Sequence, residues 1–257
     1  MNNGSTLVAN LEDRRAKDPD QSFSYHSRVS ERHKFICMTV PKVACSRIKS
    51  TLHLFEGHKI PEDLGDIHDL GERLGAFASG QLARWFGDPD WFKFCFVRNP
   101  YDRLISAYNF QIGNTWNDAC EGIIQEIKET FAYPAPLKGQ TQLVSFRDFV
   151  LYLSDAPDAV RRDGHFNLQT RVLMSDLIAY DFVGRFEQFQ ADFEQALEAL
   201  GAAREIIATA AQVLNPTYKV QPALVYDKDL ADRAYQMYQP DFETYGYGRD
   251  SWMVARE

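Results

Sequence analysis

Residues 34–57 read KFICMTVPKVACSRIKSTLHLFEG, and the stretch changes character halfway. It begins as a near-continuous apolar run, Phe35 to Val40, the length of a buried strand. It turns over Pro41-Lys42, passes small residues, and resumes with Ile48, Thr51, Leu52 and Phe55 at helical spacing. The pattern predicts a strand over 34–40, a helix over 46–56 and a lysine on the corner between them.

The same alternation recurs along the chain. WFKFCFV, 91–97, reads as a second buried strand, and Pro100 suits the first position of a helix over 100–112. DFVGRF, 181–186, reads as a third strand, with a helix over 187–200 whose stripe is Phe189, Phe193, Leu197 and Leu200. Further helices are expected over 72–86, 118–131, 146–153 (capped by Ser145) and 227–245, the last bent by Pro240. Residues 57–71 and YPAPLKG read as loops, and 1–33 as a polar, weakly patterned arm. Strands alternating with helices predict an α/β fold with a mainly parallel central sheet flanked by helices. One domain over 1–257 is expected, with 113–144 a variable insertion on the acceptor side.

Composition narrows the function. The 257 residues are 45% hydrophobic, enough for a sizeable core, and no apolar run is long enough to span a membrane. The N-terminus lacks the apolar segment of a signal peptide. Cys37, Cys45, Cys95 and Cys120 form no CxxC pair, so a reducing cytoplasm, and a bacterial one, is the simplest setting. The net charge of −8 argues against a nucleic-acid binder but leaves room for a local anion site. His53, His58 and His68 lack zinc-ligand spacing and read as surface residues, so no metal is expected.

Sheets of this kind bind ligands at the carboxyl ends of their strands, where Lys42 lies. A helix starting near Ser46 points backbone N–H groups, from about Val43 through Ala44, Cys45 and Ser46 to Arg47, at the strand end. Its dipole favours an anion there by about 0.3–1 kcal/mol. The loop lacks the glycines of GxxxxGK[ST], and its lysine opens the loop instead of closing it. FKFCFVRNPYDRLISAYNF, 92–110, repeats the design with Arg98 at its strand end. Its helical stripe is Tyr101, Leu104, Ile105, Tyr108 and Ile112, and Ser106 falls among Asp102, Asn109 and Phe110 on the polar side. An arginine and a hydroxyl so placed can hold a second phosphate. Each feature also has a plain reading, a solvated lysine, a paired arginine and a solvated serine; two such strand ends in one sheet favour a ligand with two anionic groups.

VPKVACSRIK resembles the 5′-phosphosulfate loop of the sulfotransferases, above all the carbohydrate sulfotransferases, whose loop reads close to PKVACTNWK. FVRNPYDRLISAY is similar to their 3′-phosphate motif, and DFVGRFEQFQADFEQAL and DFETYGYG resemble later segments. The resemblance runs from about residue 34 to 248 and departs at Arg47 and Ile48, where relatives often carry Asn and Trp. It implies a P-loop-like nucleotide-binding core and a donor, 3′-phosphoadenosine 5′-phosphosulfate (PAPS), leaving as adenosine 3′,5′-bisphosphate (PAP). It implies that Lys42 and the N–H groups of 43–47 hold the 5′ end and that Arg98 and Ser106 hold the 3′-phosphate. Lys42 then stabilises the leaving oxygen, with no metal required. Relatives carry an HW or HF segment before the last strand, which points to His165 as the base for the acceptor hydroxyl.

Gln169 is read as orienting the acceptor or the histidine, and Glu187 as a rival base or a stabilising carboxylate. Cys45 is read as packing, Arg161, Arg162 and Arg171 as possible acceptor contacts, and Tyr218 and Lys219 as a turn closing over the nucleotide. The acceptor is expected to be a small hydroxylated molecule or an oligosaccharide. Two rivals stand beside the transferase: a small-molecule kinase on a similar core, and a PAPS- or PAP-binding protein that has lost transfer.

Overall fold

The computed structural model describes residues 3–17, 21–113, 120–135, 143–210 and 220–254. In chain order its elements are α1 (Asn3–Lys17), β1 (Ser27–Ser30), β2 (Phe35–Met38), α2 (Cys45–Phe55), α3 (Ser79–Gly87), β3 (Phe92–Val97) and α4 (Pro100–Gln111). There follow α5 (Glu121–Thr130), α6 (Phe146–Asp155), α7 (Pro157–Val160), α8 (Gln169–Val172), β4 (Phe182–Arg185), α9 (Phe189–Ala199), α10 (Arg204–Ala210) and α11 (Lys228–Tyr245). The chain forms two compact units, Met1–Arg98 with Gln169–Pro216, and Asn99–Leu168 with Thr217–Glu257.

The first unit holds the sheet, in the order β1-β2-β3-β4. β2, β3 and β4 are parallel, with Cys37 opposite Phe94 and Phe96 opposite Gly184, while β1 runs antiparallel on the edge. β2 is buried throughout and β3 is buried from Lys93 to Val97, which is why both read as largely hydrophobic runs, and Ile48 and Leu52 of α2 are buried as well. Residues 3–17 and 21–30 depart from the irregular arm that the sequence pattern predicts. They form a helix and an edge strand, with Leu11 and Phe23 buried. The helix expected over 72–86 forms only from Ser79, after a 3₁₀ turn at Leu74–Ala76.

β4 carries the sharpest steric constraint. A Cβ on Gly184 would fall inside the ring of Phe96, which is itself fixed among Phe182, Phe189 and Phe193. Gly184→Ala should therefore destabilise the protein by about 1–3 kcal/mol through overpacking. Denaturant unfolding measures this directly, and an unchanged midpoint would mean that the β3–β4 pair yields freely.

The second unit is helical. Tyr101, Leu104, Phe149, Leu153, Phe166, Leu230, Tyr238 and Phe242 share one buried cluster. Its helices start where the sequence marks them. Asn99 caps α4 by accepting from the Tyr101 N–H at 3.0 Å, ahead of Pro100. Ser145 accepts from the Asp148 N–H at 3.0 Å at the start of α6. α11 is kinked at Tyr238, two residues before Pro240, and ends on Gly246 with φ 65°, the left-handed turn that glycine favours.

Candidate active site

The corner between β2 and α2 is built from two non-glycine residues in the left-handed region, Lys42 at φ 67° and Ala44 at φ 51°. Each such residue costs roughly 1–3 kcal/mol, a strain that gathers at ligand sites. Flanking Val43, they make a turn of the kind in which successive N–H groups face one concavity. The Val43 N–H closes this turn onto the Val40 carbonyl at 3.2 Å, and the first α2 bond runs from the Ile48 N–H to the Ala44 carbonyl at 3.0 Å. The donors that helix geometry leaves over are thus those of Ala44, Cys45, Ser46 and Arg47. Ala44, the N-cap, has no hydrogen-bonding side chain to occupy them.

Two cations attend this turn. Arg98, at the end of β3, donates from Nη1 to the Lys42 carbonyl at 3.0 Å and lies over the Phe186 ring at 4.2 Å. Burial lowers the Lys42 pKa; the Cys45 side chain acts against that shift, and the Arg98 charge acts with it. Two cations that disfavour one another's charge are stabilised by a shared anion. Gln169 has a different role from the one the sequence reading gives it. Its Oε1 accepts from the Arg98 N–H at 2.9 Å and its Nε2 donates to the Arg98 carbonyl at 2.8 Å, so it clamps the Arg98 backbone.

The remaining loop residues divide between side-chain and backbone roles. Val43 is fully buried and its N–H is bound to the Val40 carbonyl, so it is not among the free donors that the sequence reading counts. Arg47 turns away, donating to the Ala210 carbonyl and Gln190 Oε1 and resting over Phe189 at 4.8 Å. Cys45 is a half-buried free thiol. Ser46 Oγ sits 2.9 Å from His68 Nε2, which removes His68 from the surface histidines among which the sequence reading placed it.

In the second unit, His165 is part of a dyad. Its Nδ1 lies 2.7 Å from Asp163 Oδ1, which also accepts the His165 N–H at 2.7 Å. Asp163 Oδ2 accepts from Gln111 Nε2 at 2.6 Å and from the Cys120 thiol at 3.4 Å. Burial pushes the Asp163 carboxyl up, but the His165 hydrogen bonds and the Cys120 thiol outweigh it and hold the carboxyl below its ordinary value. An ionised Asp163 can only accept, so Nδ1 carries the hydrogen and Nε2 is left as the basic nitrogen. Phe110 stacks on the imidazole at 5.4 Å, and Arg103 holds the same loop through the Gly164 and Asn167 carbonyls at 3.1 and 2.7 Å. Asp163 and Gln111 were missed by sequence reasoning; the D-x-H spacing of Asp163 and His165 was the available signal.

Ser106 requires a correction. It is 5% exposed, not on a solvated face, and its Oγ is buried without a hydrogen-bond partner among the described residues. An unsatisfied buried hydroxyl is rare and calls for an explanation such as an absent ligand. Glu187 is exposed in a 3₁₀ turn. Arg162 is committed to Glu126 at 2.7 Å and Arg161 lies 3.9 Å from Asp158. Tyr218 and Lys219 lie outside the described residues. Among the described residues, no His, Cys, Asp and Glu group could hold a metal ion, and no helix is long and apolar enough to cross a membrane.

A model of the sulfotransferase family matches residues 25–248. Carbohydrate sulfotransferase 9 of Homo sapiens is 30% identical over 200 residues, 72% of this chain and 44% of that protein. Carbohydrate sulfotransferase 14 of Danio rerio is 29% identical over 193 residues, 70% of this chain and 50% of that protein. Carbohydrate sulfotransferase 11 of Mus musculus is 25% identical over 247 residues, 89% of this chain and 68% of that protein. The chain spans about half the length of the first two. No solved structure matches at comparable significance.

Proposed function

Because the chain belongs to the sulfotransferase family, we propose that it transfers a sulfuryl group from PAPS to a hydroxyl of a carbohydrate acceptor. The observation that carries the donor half is the left-handed corner at Lys42–Ala44, with no capping side chain at its N-cap and the Arg98 guanidinium bound to the Lys42 carbonyl. Lys42 and the N–H groups of 44–47 take the 5′ end; for the 3′-phosphate the family resemblance assigns Arg98 of the first unit and, in the second, Ser106, whose hydroxyl has no hydrogen-bond partner among the described residues. PAPS supplies a sulfuryl group already activated by its phosphate leaving group. The protein then places positive charge where the leaving oxygen gains negative charge and removes a proton from the acceptor. Lys42 does the first, and His165 Nε2, oriented by Asp163, does the second.

The acceptor half rests on the names of the three relatives above, each a carbohydrate sulfotransferase. Labelled PAPS offered with a panel of oligosaccharides tests it, and donor binding without any labelled product would leave a binding protein. A thermal-shift comparison of PAP with ATP·Mg²⁺ tests the donor class, since a kinase would respond to ATP·Mg²⁺ and not to PAP.

The assignment of Arg98 has its own test. Arg98→Ala should weaken PAP binding by about 1.5–3 kcal/mol, the range for a charged hydrogen bond. Because Arg98 also steadies the Lys42 carbonyl, the deciding quantity is the difference between two ligands. Adenosine 5′-phosphosulfate lacks the 3′-phosphate and should lose much less. Equal losses for both, by calorimetry, would reduce Arg98 to a brace for the loop.

A further inference from the structure

Lys49 is 1% exposed on α2 and has no carboxylate partner among the described residues. Buried ammonium groups are nearly always paired, so this one calls for a reason. Its Nζ donates to the Tyr25 carbonyl at 2.9 Å, meets His68 Nδ1 at 3.0 Å and lies 4.1 Å above the Tyr25 ring. The His68 ring stacks on Tyr25, with centroids 5.3 Å apart and planes within 8°. Its backbone is pinned as well, because Arg28 and Arg73 both donate to the His68 carbonyl at 3.0 Å. The imidazole is thus a fixed bridge between Lys49 and Ser46 Oγ.

The bridge determines where hydrogens lie. An ammonium has only donors, so a protonated Lys49 makes His68 Nδ1 the acceptor. The ring hydrogen is then on Nε2, which donates to Ser46 Oγ. With a lone pair occupied by that bond, the Ser46 hydroxyl directs its own hydrogen away from His68 and has it available for an anion at the α2 N-terminus. We propose that Lys49 and His68 are positioning residues that hold the Ser46 hydroxyl as a donor to the 5′-phosphate of the sulfuryl donor, a role that rests on the donor reading above. Removing the lysine proton lets the relay reverse. Nδ1–H then donates to Nζ, Nε2 accepts from Ser46, and the hydroxyl hydrogen turns away from the anion.

The surroundings set the pH at which this happens. Lys49 faces Tyr25 ahead of β1, Arg28 on β1, Cys37 on β2, Cys45 on its own helix, His68 in the connection after α2, and Arg73 beyond it. Burial and then Arg28 lower its pKa to about 7; Cys45 and Cys37 oppose the shift and Arg73 adds to it. The folded pKa lies below that of an ordinary lysine, so the donating state of Ser46 is populated below about pH 7 and is lost as pH rises through it. PAP affinity should fall across that window in the wild type. It should be weaker and flatter in Lys49→Met, which keeps the length of the side chain but has no proton to lose.

The decisive measurement is a double-mutant cycle on PAP affinity by calorimetry, with thermal unfolding recorded for each variant. His68→Phe keeps the ring stacked on Tyr25 and removes both nitrogens. His68→Phe and Ser46→Ala should each weaken PAP binding about tenfold, the effect of losing one hydrogen bond to a charged group. The double variant should bind no more weakly than either single one, because His68 acts only through the hydroxyl that Ser46→Ala removes. Losses that multiply in the double variant would overturn the proposal, since they would reflect general damage to the loop. Binding that depends on Lys42 and Arg98 yet ignores His68 and Ser46 would sink the relay and leave the donor reading standing. A wild type that does not bind PAP would sink both.

Discussion

His165→Ala is expected to cut kcat by roughly 10²–10⁴-fold while PAP affinity stays nearly unchanged. The dyad makes this expectation sharper than the residue type alone. Asp163 fixes the imidazole through two bonds of 2.7 Å, one to Nδ1 and one to the backbone N–H, so a single nitrogen is left for the acceptor proton. Asp163→Asn should therefore lose much of the same rate although His165 is intact, because an amide can donate to Nδ1 and stabilise the wrong tautomer. Gln111, 2% exposed, buffers the site structurally by holding the other carboxylate oxygen. Single-turnover transfer at saturating PAPS separates the outcomes. Normal turnover in His165→Ala would move the base elsewhere, and Glu187, exposed in its 3₁₀ turn, becomes the next residue to replace.

The sequence signals that succeeded were those with a repeated physical basis. β2 and β3 stand out because buried parallel strands are largely apolar on both faces, and their ends place Lys42 and Arg98 with little ambiguity. Asn99-Pro100 and Ser145 mark helix starts through chemistry confined to one turn. The failures share a different cause. β1 is Ser27-Arg28-Val29-Ser30, fully buried yet mostly polar, and it is stabilised by bonds that no periodicity reveals. Arg28 donates to the Ser27, Ile67 and His68 carbonyls, and Ser27 Oγ joins the Phe23 carbonyl and the Leu74 N–H. A helix with a single apolar stripe would leave Ser106 on its polar face. α4 is buried on more sides than that, with Arg103, Ser106 and Gln111 all inside. His68 meets Ser46 across 22 positions and Lys49 across 19, separations at which spacing says nothing about contact.

Lys42→Ala should produce the complementary failure, a fall in kcat of about 10²–10³-fold with a smaller loss of PAP affinity. The argument turns on when each interaction acts. The N–H groups of Ala44 to Arg47 meet the ground-state anion whether or not Lys42 is present, because the turn belongs to the backbone and alanine can occupy the same left-handed φ as lysine at similar cost. An ammonium group contributes most once charge builds on the leaving oxygen, so its removal is felt chiefly in the transition state. The pH dependence supplies an independent check. Burial, with Arg98 adding to it against Cys45, sets the Lys42 pKa below its ordinary value. The charged form is therefore present at low pH and is lost, as pH rises, earlier than for an exposed lysine. In a Lys49→Met background, which removes the transition of Lys49 near pH 7, the kcat/KM profile, which reports the free enzyme, should show an alkaline fall below the usual lysine range, and that limb should be missing once Lys42→Ala is added. Normal turnover with the limb intact would make the corner a binding turn only, and charge stabilisation at the leaving oxygen would have to come from the helix N–H groups alone.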